Sequence, residues 1–127
     1  MSEYFDARKD SPAQRRAMAA YVGSLLDDLL PPMRLAARGC GYALAVHGSL
    51  ARDIDLVAIP WTANAQEPEF LVGRLCGVIA GVVGRANPMK DWADKPHGRR
   101  AVTIITCGDA EIDLSIMPIV KSEETEE

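Results

Sequence analysis

Apolar residues recur at helical spacing in two long stretches of the chain and form four shorter runs that are typical of strands. The first helical stretch follows Ser11, a capping residue, with Pro12 at the first helical position and Gln14 where a capping box requires it. The apolar side of this predicted helix consists of Met18, Tyr21, Val22, Leu25 and Leu29.

Two adjacent prolines, Pro31 and Pro32, interrupt this first helical pattern. Proline removes a backbone donor and restricts the residue before it, so we predict that the helix breaks here. A second short helix is then predicted over residues 32–38, with Gly39 as its left-handed stop.

Two short apolar runs, residues 41–46 and 53–59, are predicted strands, and Pro60 ends the second. The five residues 48–52 separate them, which is the length of a hairpin connection, so the two strands should be antiparallel neighbours. The hydrophobic pattern then predicts a helix from about Pro68 to about Val83.

Three glycines, Gly73, Gly77 and Gly81, recur at every fourth residue of that second helix. Each costs a helix about 0.8–1 kcal/mol relative to alanine, so the row requires a reason. We favour close packing of the helix on the sheet. A self-association face, and hence a homodimer, is the alternative.

A polar connector over residues 85–100 leads into two further strand patterns, residues 101–107 and 111–117, joined by a turn at Gly108-Asp109. These elements predict a single α/β (α+β) domain over residues 1–127, with a small mixed or antiparallel sheet and helices packed on one face. Residues 1–10 and the acidic end 121–127 are expected to be disordered.

Composition and charge narrow the classes of function. The chain has 127 residues, a net charge of -4 and a pI of about 5.2, so its overall electrostatic field disfavours non-specific nucleic-acid binding, although a local basic patch could still hold one nucleotide.

Neither an apolar run of membrane-spanning length nor a hydrophobic signal core is visible in the sequence, which predicts a cytoplasmic protein. The widely spaced Cys40, Cys76 and Cys107 are expected to be small core residues.

The chemistry suggested by the sequence lies in its carboxylates. Asp53 and Asp55 should face the same way on their strand, and Asp113, with Glu111 nearby, should emerge on the same side of the sheet. Repulsion within such a cluster is tolerable around a divalent cation, and magnesium prefers oxygen ligands. The structural alternative is neutralisation of these acids by arginines, for which the candidates are Arg52, Arg99 and Arg100.

Together these residues resemble the nucleotidyltransferase superfamily, the polymerase-beta-like fold. Its pattern is a strand, Gly-Ser, a spacer, Asp-x-Asp on the next strand and a third acid on a later strand. Gly48-Ser49, Asp53, Asp55 and Asp113 match it, and the matched motifs span residues 43–117. Short proteins with the segment HGSLARDIDL are also similar to uncharacterised bacteriophage products, so a phage-encoded protein in host cytoplasm is expected.

The resemblance implies transfer of a nucleotidyl group from a nucleoside triphosphate to a hydroxyl acceptor of unknown identity. Asp53, Asp55 and Asp113 would be catalytic and would hold Mg2+ or Mn2+. Gly48, Ser49 and Arg52 would contact phosphate. The family's usual spacer is roughly eight or more residues; here it is three, which leaves no room for a phosphate-binding helix. The alternative is a catalytically inactive relative that serves as a nucleotide-binding or protein-interaction module.

Several other residues have both a functional and a structural interpretation. The basic stretch 90–100 could meet phosphates or be a solvated loop. His47 could hydrogen-bond a substrate or make a structural hydrogen bond, and Trp61 and Trp92 could stack on a base or cover the edge of the core.

Overall fold

The computed structural model describes residues 11–120 of the chain. The terminal segments 1–10 and 121–127, which were expected to be disordered, lie outside the described residues. The first element is a single helix, α1, Pro12–Gly39. Its predicted capping box is confirmed, because the Ser11 hydroxyl accepts from the Gln14 N–H at 3.1 Å and the Gln14 side chain accepts from the Ser11 N–H at 2.8 Å.

The predicted break at Pro31 and Pro32 is wrong, because α1 continues through both residues. Each proline deprives the helix of one hydrogen bond, a cost of about 3 kcal/mol or more in a helix interior. Leu29 and Met33 on either side of the pair are completely or almost completely buried, and burial of such side chains contributes about 1.5–3 kcal/mol each. Packing therefore holds the helix together where its local sequence opposes it.

The predicted left-handed stop is also displaced. The helix ends at Gly39, and the C-cap Cys40 keeps a right-handed conformation, with its N–H bonded to the carbonyl of Ala37. The left-handed residue is Gly41, with φ of 91°. A Cβ there would lie 2.8 Å from the Cα of Ala65, so both the backbone angle and the lack of space require glycine.

After α1 the chain forms a six-stranded mixed sheet with one further helix. The remaining elements are β1 Tyr42–His47, β2 Ile54–Pro60, α2 Pro68–Val83, β3 Ala86–Pro88, β4 Ala93–Asp94, β5 Arg100–Thr106 and β6 Glu111–Ile116. The strand order is β1-β2-β6-β5-β3, and β4 also pairs with β5. Both predicted hairpins, β1–β2 and β5–β6, are confirmed as antiparallel, and β2 and β6 join them in parallel.

The connector predicted as a polar loop instead contains β3, β4 and a short 3-10 turn, Pro96–Gly98. Its strands are only two or three residues long, which is why no alternating pattern revealed them. They pair with the backbone of β5, so the connector lies at the edge of the sheet beside β5, opposite the edge formed by β1.

Both helices cover one face of the sheet. Every second residue of the central strands is buried beneath them, including Ile54 and Leu56 of β2 and Ile112 and Leu114 of β6. The residues between these, Asp55 and Asp113 among them, therefore lie on the opposite face, which we call the open face. The predicted α+β architecture with helices on one face is confirmed. Within residues 11–120, neither helix is long and apolar enough to cross a membrane.

Two of the three cysteines are core residues, as predicted. Cys40 and Cys76 are buried, and burial raises the pKa of both thiols. The prediction is wrong for Cys107, which is exposed after the end of β5 and donates a hydrogen bond to the carbonyl of Val83.

The favoured explanation of the glycine row is wrong. Gly73, Gly77 and Gly81 are all exposed on α2, and a Cβ at any of them would meet no atom within 4 Å outside the local helix. The buried side of α2 is formed by other residues, namely Leu71, Val72, Leu75, Cys76 and Ile79. The glycines thus weaken α2 without improving its packing on the sheet.

We therefore predict that Gly77→Ala stabilises the protein by up to about 1 kcal/mol, because alanine removes the entropic cost of glycine within a helix. The midpoint of urea unfolding should rise accordingly. Gly41→Ala is the matched control and should destabilise the protein, because Gly41 has a positive φ and no space for a Cβ. A lower midpoint for Gly77→Ala would show that another surface packs against this side of α2.

Candidate functional site

Parallel pairing of β2 and β6 determines the centre of the site. The register places Ile54 opposite Ile112, Asp55 opposite Asp113 and Leu56 opposite Leu114. Neighbouring strands lie about 4.8 Å apart, so side chains at paired positions on one face are close neighbours. Asp55 and Asp113 thus meet on the open face, as the phase of the apolar residues in the two strands predicted.

The two carboxyl groups perturb each other. The pKa of Asp55 is raised, first by partial burial and then by the negative charge of Asp113, and a hydrogen bond between the two carboxyls acts in the same direction. Asp53 adds a smaller repulsion, whereas His47, which pairs with Asp55 across β1 and β2, lowers the pKa. An acid that is harder to ionise than usual, beside a second acid, is typical of functional carboxylates.

Arg100, one of the arginines that could have neutralised these acids, does not contact the pair. Its guanidinium binds Glu69 of α2 at 2.7 Å and lies 4.3 Å from the centre of the Trp92 ring. Trp92 is half-buried against the core, so its structural interpretation is confirmed. These contacts fasten the connector to the helix-covered side of the sheet.

Asp53 does not complete a group of three acids. It precedes β2, and its Oδ1 accepts a hydrogen bond of 3.0 Å from the N–H of Glu111, the first residue of β6. Among residues 11–120, no three His, Cys, Asp or Glu side chains are grouped so that they could hold a metal ion. Asp55 and Asp113 alone occupy directly paired strand positions, whereas Asp53 joins the starts of the two strands, and metal binding by Asp53 stays a prediction.

Thr103 is a residue of the site that the sequence interpretation missed. It pairs with Asp113 across β5 and β6, and its hydroxyl donates to Asp113 Oδ1 at 2.8 Å. The signal was present in the alternation of β5, since Val102 and Ile104 are buried and Thr103 between them must face the other way. The hydrogen bond orients Asp113 and leaves its second oxygen for other contacts.

The Gly-Ser turn lies directly against Asp55. Gly48 has φ of 82°, and a Cβ on it would overlap Asp55 Oδ2, so glycine is required for the turn to approach the carboxylate. The hydroxyl of Ser49 accepts from the N–H of Ala51 at 3.3 Å, the contact of a simple turn residue. Arg52 lines a different cleft, beside Tyr21 of α1.

A cavity of about 310 Å³ opens above the acid pair. From the sheet it is lined by His47, Asp55, Thr103, Asp113 and Ser115, among others. The connector contributes Asp91, Ala93 and Lys95. The connector is thus a wall of the site, and Lys95 brings a positive charge to a cavity otherwise dominated by acids.

The raised pKa of Asp55 has a consequence for stability. A carboxyl that holds its proton more tightly when folded stabilises the protein fully below its unfolded pKa, about 3.9, and this stabilisation is lost as pH rises through the folded value. We therefore predict that Asp55→Asn is at least as stable as the wild type at pH 7 in chelator, with a gain of at most about 1 kcal/mol.

Urea midpoints measured in chelator between pH 4 and pH 7 test this prediction. The wild type should lose stability relative to Asp55→Asn as the pH rises. The control is Asp28→Asn, which changes an exposed acid on α1 and should show the same pH dependence as the wild type. If Asp55→Asn were the less stable protein at pH 7, Asp55 would be a structural acid with a cationic partner.

No family model and no curated protein matches the sequence. Among solved structures, the chain is similar to terminal uridylyl transferase 4 from Trypanosoma brucei with bound dUTP, with a TM-score of 0.41 and 17% sequence identity. The match covers 80% of this chain and 35% of that protein, so the chain spans about a third of its length.

Proposed function

We propose that this protein is a metal-dependent nucleotidyltransferase, which transfers a nucleotidyl group from a nucleoside triphosphate to a hydroxyl acceptor. The observation that carries the proposal is the Asp55–Asp113 pair, placed side by side on adjacent parallel strands beneath a cavity of about 310 Å³. The Gly48 turn against Asp55 and the resemblance in motif order support it.

The acid pair suits a magnesium or manganese ion. Its donors are all carboxylate oxygens. The pKa of Asp55 is raised first by partial burial and then by the negative charge of Asp113, and a divalent cation would favour the ionised form against both effects. Magnesium is often held by one or two carboxylates together with substrate phosphates and water, so a third protein ligand is not required. Asp55 and Asp113 would hold the ion, and Asp53, whose Oδ1 accepts from the N–H of Glu111, could join them only through its second oxygen. When bound, such an ion neutralises phosphate charge and polarises a phosphoryl oxygen.

The proposed reaction is a displacement at the α-phosphorus. The acceptor oxygen forms a new bond to that phosphorus, the bond to the bridging oxygen breaks, and pyrophosphate leaves with the electron pair. The hydroxyl proton passes to Asp113, whose Oδ1 is already oriented by Thr103. Lys95 in the cavity wall would balance charge on the leaving phosphates.

The residues of the turn have smaller proposed roles. Gly48 brings backbone close to Asp55 and would contact phosphate with Ser49, while the Ser49 hydroxyl also stabilises the turn itself. Arg52 would reach phosphate only after a change in the turn, because its side chain lines the cleft beside Tyr21.

A second candidate is a nucleotide-binding module without chemistry. The observation in its favour is Asp53, whose carboxylate is engaged with the backbone of Glu111 and so leaves two converging acids instead of three. A module of this kind would bind a triphosphate with magnesium and leave it intact.

The proposal is tested with triphosphates labelled either at the α or at the γ position, incubated with magnesium, the protein and cellular RNA or protein as acceptors. We expect the α label to be incorporated and the γ label to be released as pyrophosphate. Incorporation of the γ label would indicate phosphoryl transfer instead. Tight binding of triphosphate without incorporation of either label would favour the second candidate.

A further inference from the structure

A second pocket lies on the other side of β1, away from the acid pair. It has a volume of about 280 Å³ and is lined by Arg34, Arg38, Tyr42, Ala43, Leu44 and Trp61. Tyr42 and Leu44 are buried on the helix-covered face, whereas Asp55 lies on the open face. From Leu44 to His47 the strand advances three residues, or about 10 Å, so the two sites are distinct.

Two arginines, Arg34 and Arg38, give this pocket a positive charge. Arg34 and Arg38 are exposed and one turn apart on α1. Among residues 11–120, the ion pairs formed include neither of them. Asp27, which lines a neighbouring cavity with Arg34, lies two turns earlier on the helix. Arg38 lies near the C-terminal end of α1, where a positive charge interacts favourably with the helix dipole. That interaction does not account for Arg34 or for the exposed ring of Trp61 in the same pocket.

Arg34 is oriented by a hydrogen bond to the backbone of β1. Its Nε donates to the carbonyl of Leu44 at 3.3 Å, on the edge of β1 that no strand within residues 11–120 covers. Because Nε is engaged with the backbone, the terminal nitrogens of the guanidinium remain for other acceptors. A planar guanidinium oriented in advance is well suited to bind phosphate oxygens in pairs.

Trp61 provides an aromatic surface beside these arginines. Its backbone N–H is anchored to the carbonyl of Gly41 at 3.0 Å, yet 61% of the residue is exposed. The structural interpretation, in which the ring covers the core edge, therefore holds for Trp92 and fails for Trp61. A large exposed ring next to guanidinium groups is the combination that stacks a base while its phosphate is neutralised.

We propose that this pocket binds one nucleotide unit, with the base stacked on Trp61 and the phosphate held by Arg34 and Arg38. The unit is either a free nucleotide or one residue of a single strand. The net charge of -4 opposes the binding of a long polyanion, so a single strand would contact the protein through only one or two of its nucleotides. This inference does not depend on the proposed transferase activity.

The test uses tryptophan fluorescence and equilibrium dialysis in chelator, with Asp55→Asn as the background so that the acid pair cannot contribute. AMP and a six-residue oligoadenylate are the probes, and adenosine and inorganic phosphate are the controls. We expect saturable quenching by AMP or the oligonucleotide, and weaker binding of both controls. Equal affinity for AMP and the oligonucleotide identifies a free-nucleotide site, whereas tighter binding of the oligonucleotide identifies a single strand.

Variants then assign the site. Trp61→Ala should weaken AMP binding roughly 5- to 150-fold, and Arg38→Gln on the order of tenfold. Arg16 is an exposed arginine on the same helix, about five turns from Arg34 and about six from Arg38, so Arg16→Gln should leave binding unchanged. Trp92→Phe should preserve the quenching. Melting temperatures verify that the variants are folded. The inference is overturned if neither probe binds, if adenosine binds as well as AMP, or if Arg16→Gln weakens binding as much as Arg38→Gln.

Discussion

Asp113→Asn should lower nucleotidyl transfer by about 10²- to 10⁴-fold, the range typical of the loss of a positioned general base. Asparagine keeps the shape of the side chain and can still accept from Thr103, so the fold and the orientation of the group are preserved. What it removes is the negative charge and the capacity to take the acceptor proton. The measurement is the rate of incorporation of α-labelled triphosphate at saturating magnesium.

Two further variants make this result specific. Thr103→Val removes the hydrogen bond that orients Asp113 and should reduce the rate by a smaller factor, on the order of tenfold. Asp28→Asn changes the net charge equally at an exposed position on α1 and should leave the rate unaltered. Transfer at full rate in Asp113→Asn would show that the chemistry takes place elsewhere on the protein.

Saturating magnesium or manganese should raise the melting temperature of the wild type by roughly 10 °C. A ligand that binds only the folded protein, at 100 times its dissociation constant, adds about 2.7 kcal/mol to the free energy of unfolding. For a domain of this size, that gain corresponds to a melting temperature roughly 10 °C higher. Asp55→Asn should lose most of the increase, because one of the two converging carboxylates has become neutral.

The comparison requires thermal melts of both proteins in chelator, magnesium and manganese. In chelator the variant should be as stable as the wild type or more so, and the order should reverse when metal is present. A wild type that is indifferent to both metals, alongside a destabilised variant, would contradict the metal site and indicate a structural pair of acids.

The sequence predicted those features in which local pattern and packing agree. The cap at Ser11, the bounds of α2 and the two hairpins follow from residues adjacent in the chain. Asp55 and Asp113 could be paired before the structure because alternation fixes which face a strand residue occupies, and apolar neighbours fix which face is buried. The phase placed these two residues, 58 positions apart, on one face, provided that both hairpins belong to one sheet, and the parallel pairing of β2 and β6 makes them direct neighbours.

The sequence could not predict outcomes that depend on distant contacts. The continuity of α1 at Pro31 depends on burial of Leu29 and Met33 against the sheet, which no local rule contains. The engagement of Asp53 with the N–H of Glu111 requires the parallel alignment of two strand ends, and that alignment was not visible in either segment.

The connector and the glycine row were misjudged for related reasons. Strands as short as β4, Ala93–Asp94, have too few residues to show a period, so the position of Lys95 in the wall of the acid cavity required the structure. Spacing of four places Gly73 and Gly77 on one side of α2, but periodicity does not say whether small residues face the core or the solvent.

The central claim is that Asp55 and Asp113 form the metal-dependent centre of a nucleotide site, and one crystal structure tests it most directly. Crystals should be soaked with Mn2+ and a non-hydrolysable nucleoside triphosphate, and manganese located by its anomalous scattering. We predict manganese bound to the carboxylates of Asp55 and Asp113, with the triphosphate in the cavity between the Gly48 turn and Lys95. A bound triphosphate outside that cavity, with no metal on either aspartate, would contradict the claim.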